Sequence, residues 1–273
     1  VRGNEYLASS PKYNLLYEAF GWEIAKYIHV EHIMKDKHNK LSKRNGDASF
    51  EDLIAKGYLS EAVINYIALL GWAPKGEREI FSLSELVEEF DISGLSKSPA
   101  IFDPLKLKAI NAEYIRMMTP EKFLEHAGPY IRQSVHRTDV DLSKIAALLQ
   151  NRTEVFTDIP DQVDFIDSMP DYDLSLYENK KMKTNRDTSL EVLKKALPAL
   201  EGLTEWNMDG LHECLFGLVA EMGVKNGYVL WPVRVAISGK QFTPGGALEI
   251  ADIIGREDTL SRMRLSIDKL SKG

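Results

Sequence analysis

A basic segment from Lys35 to Asp47, with the sequence KDKHNKLSKRNGD, contains residue types suited to phosphate chemistry. Five of the ten residues from 35 to 44 are cationic and one is acidic. Lysine ammonium groups can stabilise the charge that builds on phosphoryl oxygens during displacement, and the Ser42 hydroxyl can donate a further hydrogen bond. A solvated polar turn explains a bare Lys-x-Ser-Lys equally well. The segment alone therefore leaves a polyphosphate-binding loop and a solvated turn open.

Other familiar reactive patterns are incomplete. The run His29-Val30-Glu31-His32 looks like part of a zinc deaminase site, but that site also needs a downstream Pro-Cys-x-x-Cys. The single cysteine, Cys214, cannot supply it, and it also excludes an internal disulfide or a thiolate-rich zinc site. Gly239-Lys240 lacks the upstream glycine and the following Ser or Thr of a phosphate loop. We predict no metal site.

Short motifs surround the basic segment in a fixed order. The first group consists of RGxEYLxSxPK from residue 2, LYEAFGW from 16, KLSKR from 40, GYL from 57 and NYxALLGW from 65. The second group consists of FDxxKL from 102, NxxYIR from 111, WPxRxAxSG from 231, TPG from 243 and IGRE from 254. In order and spacing, these motifs resemble bacterial-type glutamyl-tRNA synthetases, which are class I aminoacyl-tRNA synthetases, over essentially the whole chain.

The resemblance is to the C-terminal part of such an enzyme. The first ATP signature of class I, of the type His-x-Gly-His, does not occur in these 273 residues, and the chain starts at Val1 rather than Met. We therefore expect a fragment of a longer glutamate–tRNA ligase, and we expect the isolated chain not to form the adenylate. The alternative is a non-catalytic tRNA-binding helical module or scaffold. A shortened glutamate-transferring relative is less compatible, because it lacks the helices that carry the matches from Arg152 to Glu257.

The resemblance implies a two-step reaction in the parent enzyme. Glutamate attacks the α-phosphate of ATP, supplied with Mg²⁺, and the glutamyl group then passes to tRNA(Glu). The residues 40–44 correspond to the second ATP signature, with Lys43 as the principal transition-state contact. The resemblance further implies that Lys40 and Ser42 support this loop, that Arg44 and Ile33 lie on the ATP side, and that Arg2 faces the substrate glutamate. No cofactor is expected to be bound to the fragment itself.

The same resemblance assigns anticodon recognition to residues near the C-terminus. Arg152 and Arg234 match arginines that reach anticodon bases, and Thr243, Gly246 and Ala247 fall in a loop that opens a helix. A guanidinium can read a base edge with two hydrogen bonds, or stack on an unpaired base. For Arg152 the alternative is a helix-surface ion pair. Trp206 and Trp231 are expected in the core, because both lie beside apolar helical runs.

Composition limits the class of protein that positions these residues. Hydrophobic residues make up 44% and charged residues 27%, which is typical of a globular protein and excludes a collagen-like or largely disordered chain. The formal charge, 34 − 41 = −7, gives no overall reason to expect nucleic acid, so binding would need a local positive field. The apolar run 62–73 is too short to cross a membrane. We expect a cytoplasmic monomer with no membrane segment.

The pattern of helix signals predicts a mainly α fold. Start signals occur at Ser49, Ser82 and Thr188 and at Asp103-Pro104 and Thr119-Pro120, and Gly71, Gly223 and Gly255 are candidate C-terminal caps. Weak strand signals lie in residues 27–34 and 229–237. With the resemblance, this predicts the end of a class I catalytic region with stem-contact helices over residues 1–116. Two helical anticodon-binding subdomains follow, over 117–178 and 179–273.

Overall fold

A computed structural model describes residues 1–41 and 49–272. The chain divides into two compact units. Unit 1 comprises Val1–Met117 with Glu154–Phe156, and unit 2 comprises Met118–Thr153 with Thr157–Gly273. Helices predominate in the described part of both, which confirms the mainly α prediction. None of the described helices has the length and apolar character needed to cross a membrane.

Among its described residues, unit 1 contains two short pairs of parallel strands. Strand β1 (Arg2–Gly3) pairs with β2 (His29–Val30), and β3 (Ile33–Met34) pairs with β4 (Ala100–Ile101). The strand signal over residues 27–34 is thus confirmed. Helix α1 (Ser10–Ala19) lies between β1 and β2 in the sequence and has no buried side chain. Its apolar residues Leu15 and Leu16 are 65% and 54% exposed.

The other α-helices in the described part of unit 1 are α2 (Phe50–Ala55), α3 (Ser60–Gly71), α4 (Leu83–Glu89) and α5 (Pro104–Arg116). Three predicted N-caps are confirmed. The Ser49 hydroxyl accepts a hydrogen bond from the amide of Asp52, Ser82 forms a reciprocal capping box with Glu85, and the Asp103 carboxylate accepts the amides of residues 105 and 106. Gly71 is wrong as a cap, because it is the last helical residue and Trp72 is the cap.

Two buried asparagines connect the helices of unit 1. The Asn65 side chain donates to the carbonyl of Glu79 at 2.9 Å and accepts hydrogen bonds from the Phe81 amide and the Tyr114 hydroxyl. The Asn111 side chain accepts from the amide of Leu59 at 2.8 Å. Both are fully buried, and each satisfies backbone groups that would otherwise be desolvated without a partner.

Unit 2 contains eight α-helices among its described residues. They are α6 (Pro120–Ile131), α7 (Leu142–Leu149), α8 (Ile159–Val163), α9 (Arg186–Glu201), α10 (Met208–Met222), α11 (Asn226–Ser238), α12 (Ala247–Ile254) and α13 (Arg256–Lys272). The predicted cap at Thr119 is confirmed, as are the C-terminal caps Gly223 and Gly255. The predicted start at Thr188 is wrong by one turn. Asn185 caps α9, and Thr188 is its partner in the capping box.

Residues 229–237, predicted as a strand, are helical. They lie in α11, which packs against α9, α10, α12 and α13. Val229, Val233, Val235, Ala236 and Ile237 are all fully buried. A helix surrounded by other helices is apolar on nearly every face, so its sequence shows no helical period and its β-branched residues imitate a buried strand.

A buried arginine fixes the end of α11. Arg262, on α13, is 6% exposed, and its Nη1 donates to the carbonyls of Phe165 at 2.8 Å and Ile237 at 2.9 Å. Its Nη2 donates to the carbonyl of Ile166 at 2.8 Å. The last carbonyls of a helix have no partner within the helix, and Arg262 satisfies one of them in α11. This contact holds the helix that carries Arg234.

Candidate functional site

Arg2 is half-buried in unit 1 and lies on β1. Its Nη2 donates to the Ser10 hydroxyl at 2.7 Å, and its Nε donates to Nε2 of His29 at 3.2 Å. The guanidinium carbon lies 4.2 Å from the ring centre of Tyr27 and 5.2 Å from that of Tyr13. Cation–π contacts of this kind hold a guanidinium while leaving its edge open to a ligand. Nη1 has no hydrogen-bond partner among the described residues, so one arm of the fork can still bind an anion.

The basic segment begins with an ordered turn. The Asp36 carboxylate accepts hydrogen bonds from the amides of His38 and Asn39, at 2.8 and 2.9 Å, and from the Asn39 side chain. The hydrogen bond from the Asn39 side chain, followed by those from the two amides, lowers the pKa of Asp36. Lys40 is exposed and pairs with Met34 in an isolated bridge. The turn therefore fixes the backbone at the first lysine of the KLSKR motif.

Of the other residues that the resemblance places on the ATP side, the structure describes Ile33. Ile33 is half-buried in β3, and its carbonyl already accepts the amide of Leu41 at 3.0 Å. A ligand that contacted the carbonyl of Ile33 would have to share this acceptor. Ser42, Lys43 and Arg44 lie outside the described residues.

Arg234 is the centre of the candidate site in unit 2. Its Nη1 donates to the Thr243 hydroxyl at 2.6 Å, and its Nη2 donates to the carbonyl of Gln241 at 2.7 Å. The guanidinium also lies 4.5 Å from the ring centre of Trp231. The Thr243 hydroxyl in turn donates to the carbonyl of Gly245 at 2.7 Å. The structure thus brings Arg234 and Thr243 into direct contact, and both link α11 to the loop before α12.

Arg152 contributes a second positive charge to this site. It follows α7, is exposed, and forms no ion pair with any described residue, so the surface ion-pair alternative is not supported. Burial first, and then the charge of Arg152, lower the pKa of the Arg234 guanidinium. An arginine remains protonated in spite of such a shift. Two guanidinium groups that interact electrostatically, and that form no ion pair with a described residue, create a local field that favours a phosphate or the acceptor edge of a base.

Gly246 and Ala247 form one wall of an adjacent pocket. This pocket has a volume of about 490 Å³ and is mostly apolar. It is also lined by Met182, Met208, His212, Phe216, Trp231, Arg234 and the acidic Glu249. The rings of His212 and Phe216 stack with centres 4.1 Å apart. The Gly246 amide donates to the Glu249 carboxylate at 3.0 Å, so this amide is already used in capping α12. The pocket, rather than that amide, is what these two small residues provide.

Phe242 and Trp231 lie beside this site although neither was predicted there. The Phe242 side chain is 80% exposed and precedes Thr243 in the sequence, although phenylalanine side chains are usually buried. An aromatic residue within the polar turn GKQFTPGG was the signal for it. Trp231 was expected in the core, but it is half-buried, lines the pocket and stacks beneath Arg234. Trp206 is also half-buried, and its indole N–H donates to the carbonyl of Ala251 at 3.0 Å.

Two family models match the chain. Residues 1–109 match the catalytic domain of class I tRNA synthetases (E and Q), and residues 122–267 match an anticodon binding domain. The chain is 55% identical over 272 residues to a glutamate–tRNA ligase of Clostridium acetobutylicum, and 57% identical over 270 residues to that of Clostridium tetani. The chain belongs to the class I glutamate–tRNA ligase family. The resemblance found from the motifs is thereby confirmed at the level of the family.

Solved structures of this family have the same fold. A glutamate–tRNA ligase of Elizabethkingia meningosepticum, crystallised in complex with its amino acid, superposes with a TM-score of 0.84 at 29% identity. The ligase of Elizabethkingia anophelis superposes with a TM-score of 0.83 at 28% identity. Each superposition covers 98% of this chain and 56% of the other. The chain likewise covers 56% of the Clostridium acetobutylicum ligase and 55% of that of Clostridium tetani, so it spans little more than half the length of these relatives.

Proposed function

We propose that the chain is the C-terminal part of a ligase that activates glutamate with ATP and Mg²⁺ and transfers it to tRNA(Glu). The observation that carries the proposal is that a match to the catalytic domain of class I synthetases (E and Q) and an anticodon-binding match occur in one chain, whose relatives are glutamate–tRNA ligases. A non-catalytic scaffold accounts for the second match but not for the first. The division at 1–116, 117–178 and 179–273, a cytoplasmic location and a monomeric state belong to the same proposal.

In unit 1, Arg2 is proposed to bind the substrate glutamate. Ser10, His29 and the tyrosine rings already orient the guanidinium, and its unpaired Nη1 is available for a carboxylate. Lys43 is proposed as the principal contact to the reacting phosphate, supported by Lys40 and Ser42, with Arg44 and Ile33 on the same side. Loss of one preorganised positive group of this kind costs about 10²–10³ in rate.

The catalytic assignment can be tested in the ligase extended to the length of its relatives. Lys43→Ala is expected to slow glutamate-dependent exchange of pyrophosphate into ATP by about 10²–10³. Lys37→Ala is the matched control, because it removes a charge from the same basic segment outside the KLSKR motif. Equal losses in the two variants would contradict a specific role for Lys43.

In unit 2, Arg234, Arg152 and Thr243 are proposed to bind anticodon bases, with the pocket beside Gly246 and Ala247 receiving one of them. Anticodon bases are single-stranded and can be splayed apart for recognition by stacking and edge contacts. The support is that neither guanidinium forms an ion pair with a described residue and that Arg234 lines a mostly apolar pocket. The carboxylate of Glu249 also lines this pocket and accepts the Gly246 amide. Phe242 adds an exposed ring on which a base can stack.

Binding of tRNA transcripts tests the anticodon assignment. Arg152→Ala and Arg234→Lys are expected to weaken binding of a tRNA with the glutamate anticodon by about 1–3 kcal/mol more than binding of a tRNA with an unrelated anticodon. The Arg234→Lys variant keeps the positive charge but cannot donate the two parallel hydrogen bonds of a guanidinium. Arg264→Ala, which removes an exposed arginine paired with Glu201, is the control. Equal losses on both tRNAs would reduce Arg152 and Arg234 to phosphate contacts.

A further inference from the structure

A basic cleft lies beside the apolar pocket of unit 2. Its volume is about 810 Å³, and its walls are the turn that contains Lys181, Met182 and Lys183, the end of α10, and the start of α11 with Lys225. No acidic residue is among the described residues that line it. The three lysines are exposed, and none forms an ion pair with a described residue. Positive charge is thus concentrated there in a chain whose formal charge is −7.

The backbone of the lysine-bearing turn is held by its own hydrogen bonds. Asn179 and Thr184 exchange backbone hydrogen bonds of 3.0 and 3.1 Å. The Asn179 side chain accepts from the amide of Lys181 at 3.0 Å and from that of Met182 at 3.1 Å. Lys183 adopts a φ of 60°, in the left-handed region that disfavours a residue with a side chain. The turn therefore presents its lysines from a fixed backbone.

The opposite wall adds charge of the same sign. Lys225 is the N-cap of α11, and no side chain caps the first turn. Asn226 and Gly227, the first two residues of that helix, line the cleft. The free amides and the positive end of the helix dipole favour an anion in this position, in addition to the lysine charges.

The basic cleft adjoins the pocket that reaches Arg234. Met182 and Gly227 line both cavities. A Cβ added at Gly227 would lie 2.2 Å from the sulfur of Met182, so glycine is what permits this close contact between the two walls. A charged cleft next to an apolar pocket matches one repeat of a nucleic acid strand, in which a phosphate adjoins a planar base.

We propose that Lys181, Lys183 and Lys225 bind backbone phosphates of the tRNA anticodon arm, next to the base seated beside Arg234. This inference rests on the proposed function of unit 2. It adds contacts that do not depend on sequence, because a phosphate is the same next to every base. The lysines supply affinity and fix the position of the strand, whereas Arg152 and Arg234 discriminate between anticodons.

The test is the salt dependence of tRNA binding by the whole chain. The variant Lys181→Ala/Lys183→Gly/Lys225→Ala removes the three charges, with glycine chosen where φ is positive. For single-stranded RNA, log K falls with log[salt], and each phosphate contact contributes about 0.7 to the steepness of this fall. The loss of three contacts therefore makes the slope shallower by about 2. At 0.1 M salt this corresponds to an affinity about 100-fold weaker. We expect the same loss with the glutamate anticodon and with an unrelated one.

The control variant is Lys122→Ala/Lys194→Ala/Lys272→Ala, which removes three exposed lysines of unit 2 that do not line the cleft. An unchanged slope in the cleft variant, or an equal loss in the control, would overturn the proposal. Lysine-dependent binding of anionic phospholipid vesicles without such binding of RNA would also overturn it. A third result separates this proposal from the anticodon assignment. If the unmodified chain binds both tRNAs equally and the cleft variant has a shallower salt dependence, the phosphate-binding site is supported and the anticodon assignment is contradicted.

Discussion

Replacing Arg262 by methionine is expected to destabilise unit 2 strongly. The substitution keeps the length of the side chain but removes the donors for three carbonyls, those of Phe165, Ile166 and Ile237, which Arg262 reaches at 2.8–2.9 Å. A buried acceptor left without a donor costs about 1–3 kcal/mol, so three of them cost at least about 3 kcal/mol. Burial lowers the pKa of Arg262, and its charged form is therefore penalised where it lies.

The removal of this buried charge offsets part of the destabilisation. A guanidinium loses hydration when it is buried, and a well-packed apolar side chain in its place can offset the lost hydrogen bonds. With this offset, we expect the free energy of unfolding of unit 2 to fall by about 2–3 kcal/mol. Arg264→Met is the control, since Arg264 lies on the same helix and forms an exposed ion pair with Glu201. Such a pair contributes less than about 1 kcal/mol.

Native-state hydrogen exchange is the appropriate assay, because it reports on each unit separately. The two compact units can unfold in separate transitions, which a single melting curve would combine. The opening free energy of amides in α11 and α13, followed through mass-resolved peptides at increasing urea, isolates unit 2. A loss below about 1 kcal/mol in Arg262→Met would refute the reasoning. It would show that relief from desolvation equals the value of all three hydrogen bonds.

Three further outcomes are expected. Phe242→Ala should weaken binding of a tRNA with the glutamate anticodon by about 1–3 kcal/mol without changing the melting temperature, and an unchanged affinity would remove Phe242 from the interface. The hydrogen bond from Arg78, followed by those from Ser82, lowers the pKa of Glu85 to about 2, so its contribution to stability is complete above the unfolded pKa near 4.5 and is lost as the pH falls toward 2; an NMR titration should show this midpoint, and Arg78→Ala should raise it. Lys183→Gly should raise the melting temperature, because the left-handed penalty of about 1–2 kcal/mol exceeds the added chain entropy of about 0.5–1 kcal/mol; a lower melting temperature would contradict this.

Local signals in the sequence were sufficient for much of the helical structure. The caps at Ser49, Ser82, Asp103 and Thr119 depend on hydrogen bonds within four residues, so the residues themselves specify them. The start of α9 was misplaced because a threonine three residues inside a helix can imitate a cap. The identity of α11 depended on four other helices around it, which the local pattern does not contain.

The candidate site was partly accessible from the sequence. The motifs named Arg234 and Thr243, but not their hydrogen bond, which joins residues from a helix and the following loop. Phe242 was not predicted as a site residue, because it is a candidate for base stacking only through the exposure of its ring, which the sequence does not show. The basic cleft could not be foreseen, since Lys183 and Lys225 are far apart in the sequence and meet only after α9 and α10 have packed.

The hydrogen bonds of Arg234 have a kinetic consequence for recognition. Its guanidinium is restrained by Thr243, by the carbonyl of Gln241 and by the ring of Trp231 before any ligand arrives. The rotamer entropy of a flexible arginine is worth about 2 kcal/mol, and Arg234 loses most of this entropy during folding. Arg152 has no such restraint among the described residues, so we expect it to lose rotamer freedom if it binds a base as proposed. For the proposed recognition of anticodon bases, we therefore expect Arg234 to be a preformed contact that determines how long a correct base stays bound. We expect Arg152 to become ordered only after the strand has arrived.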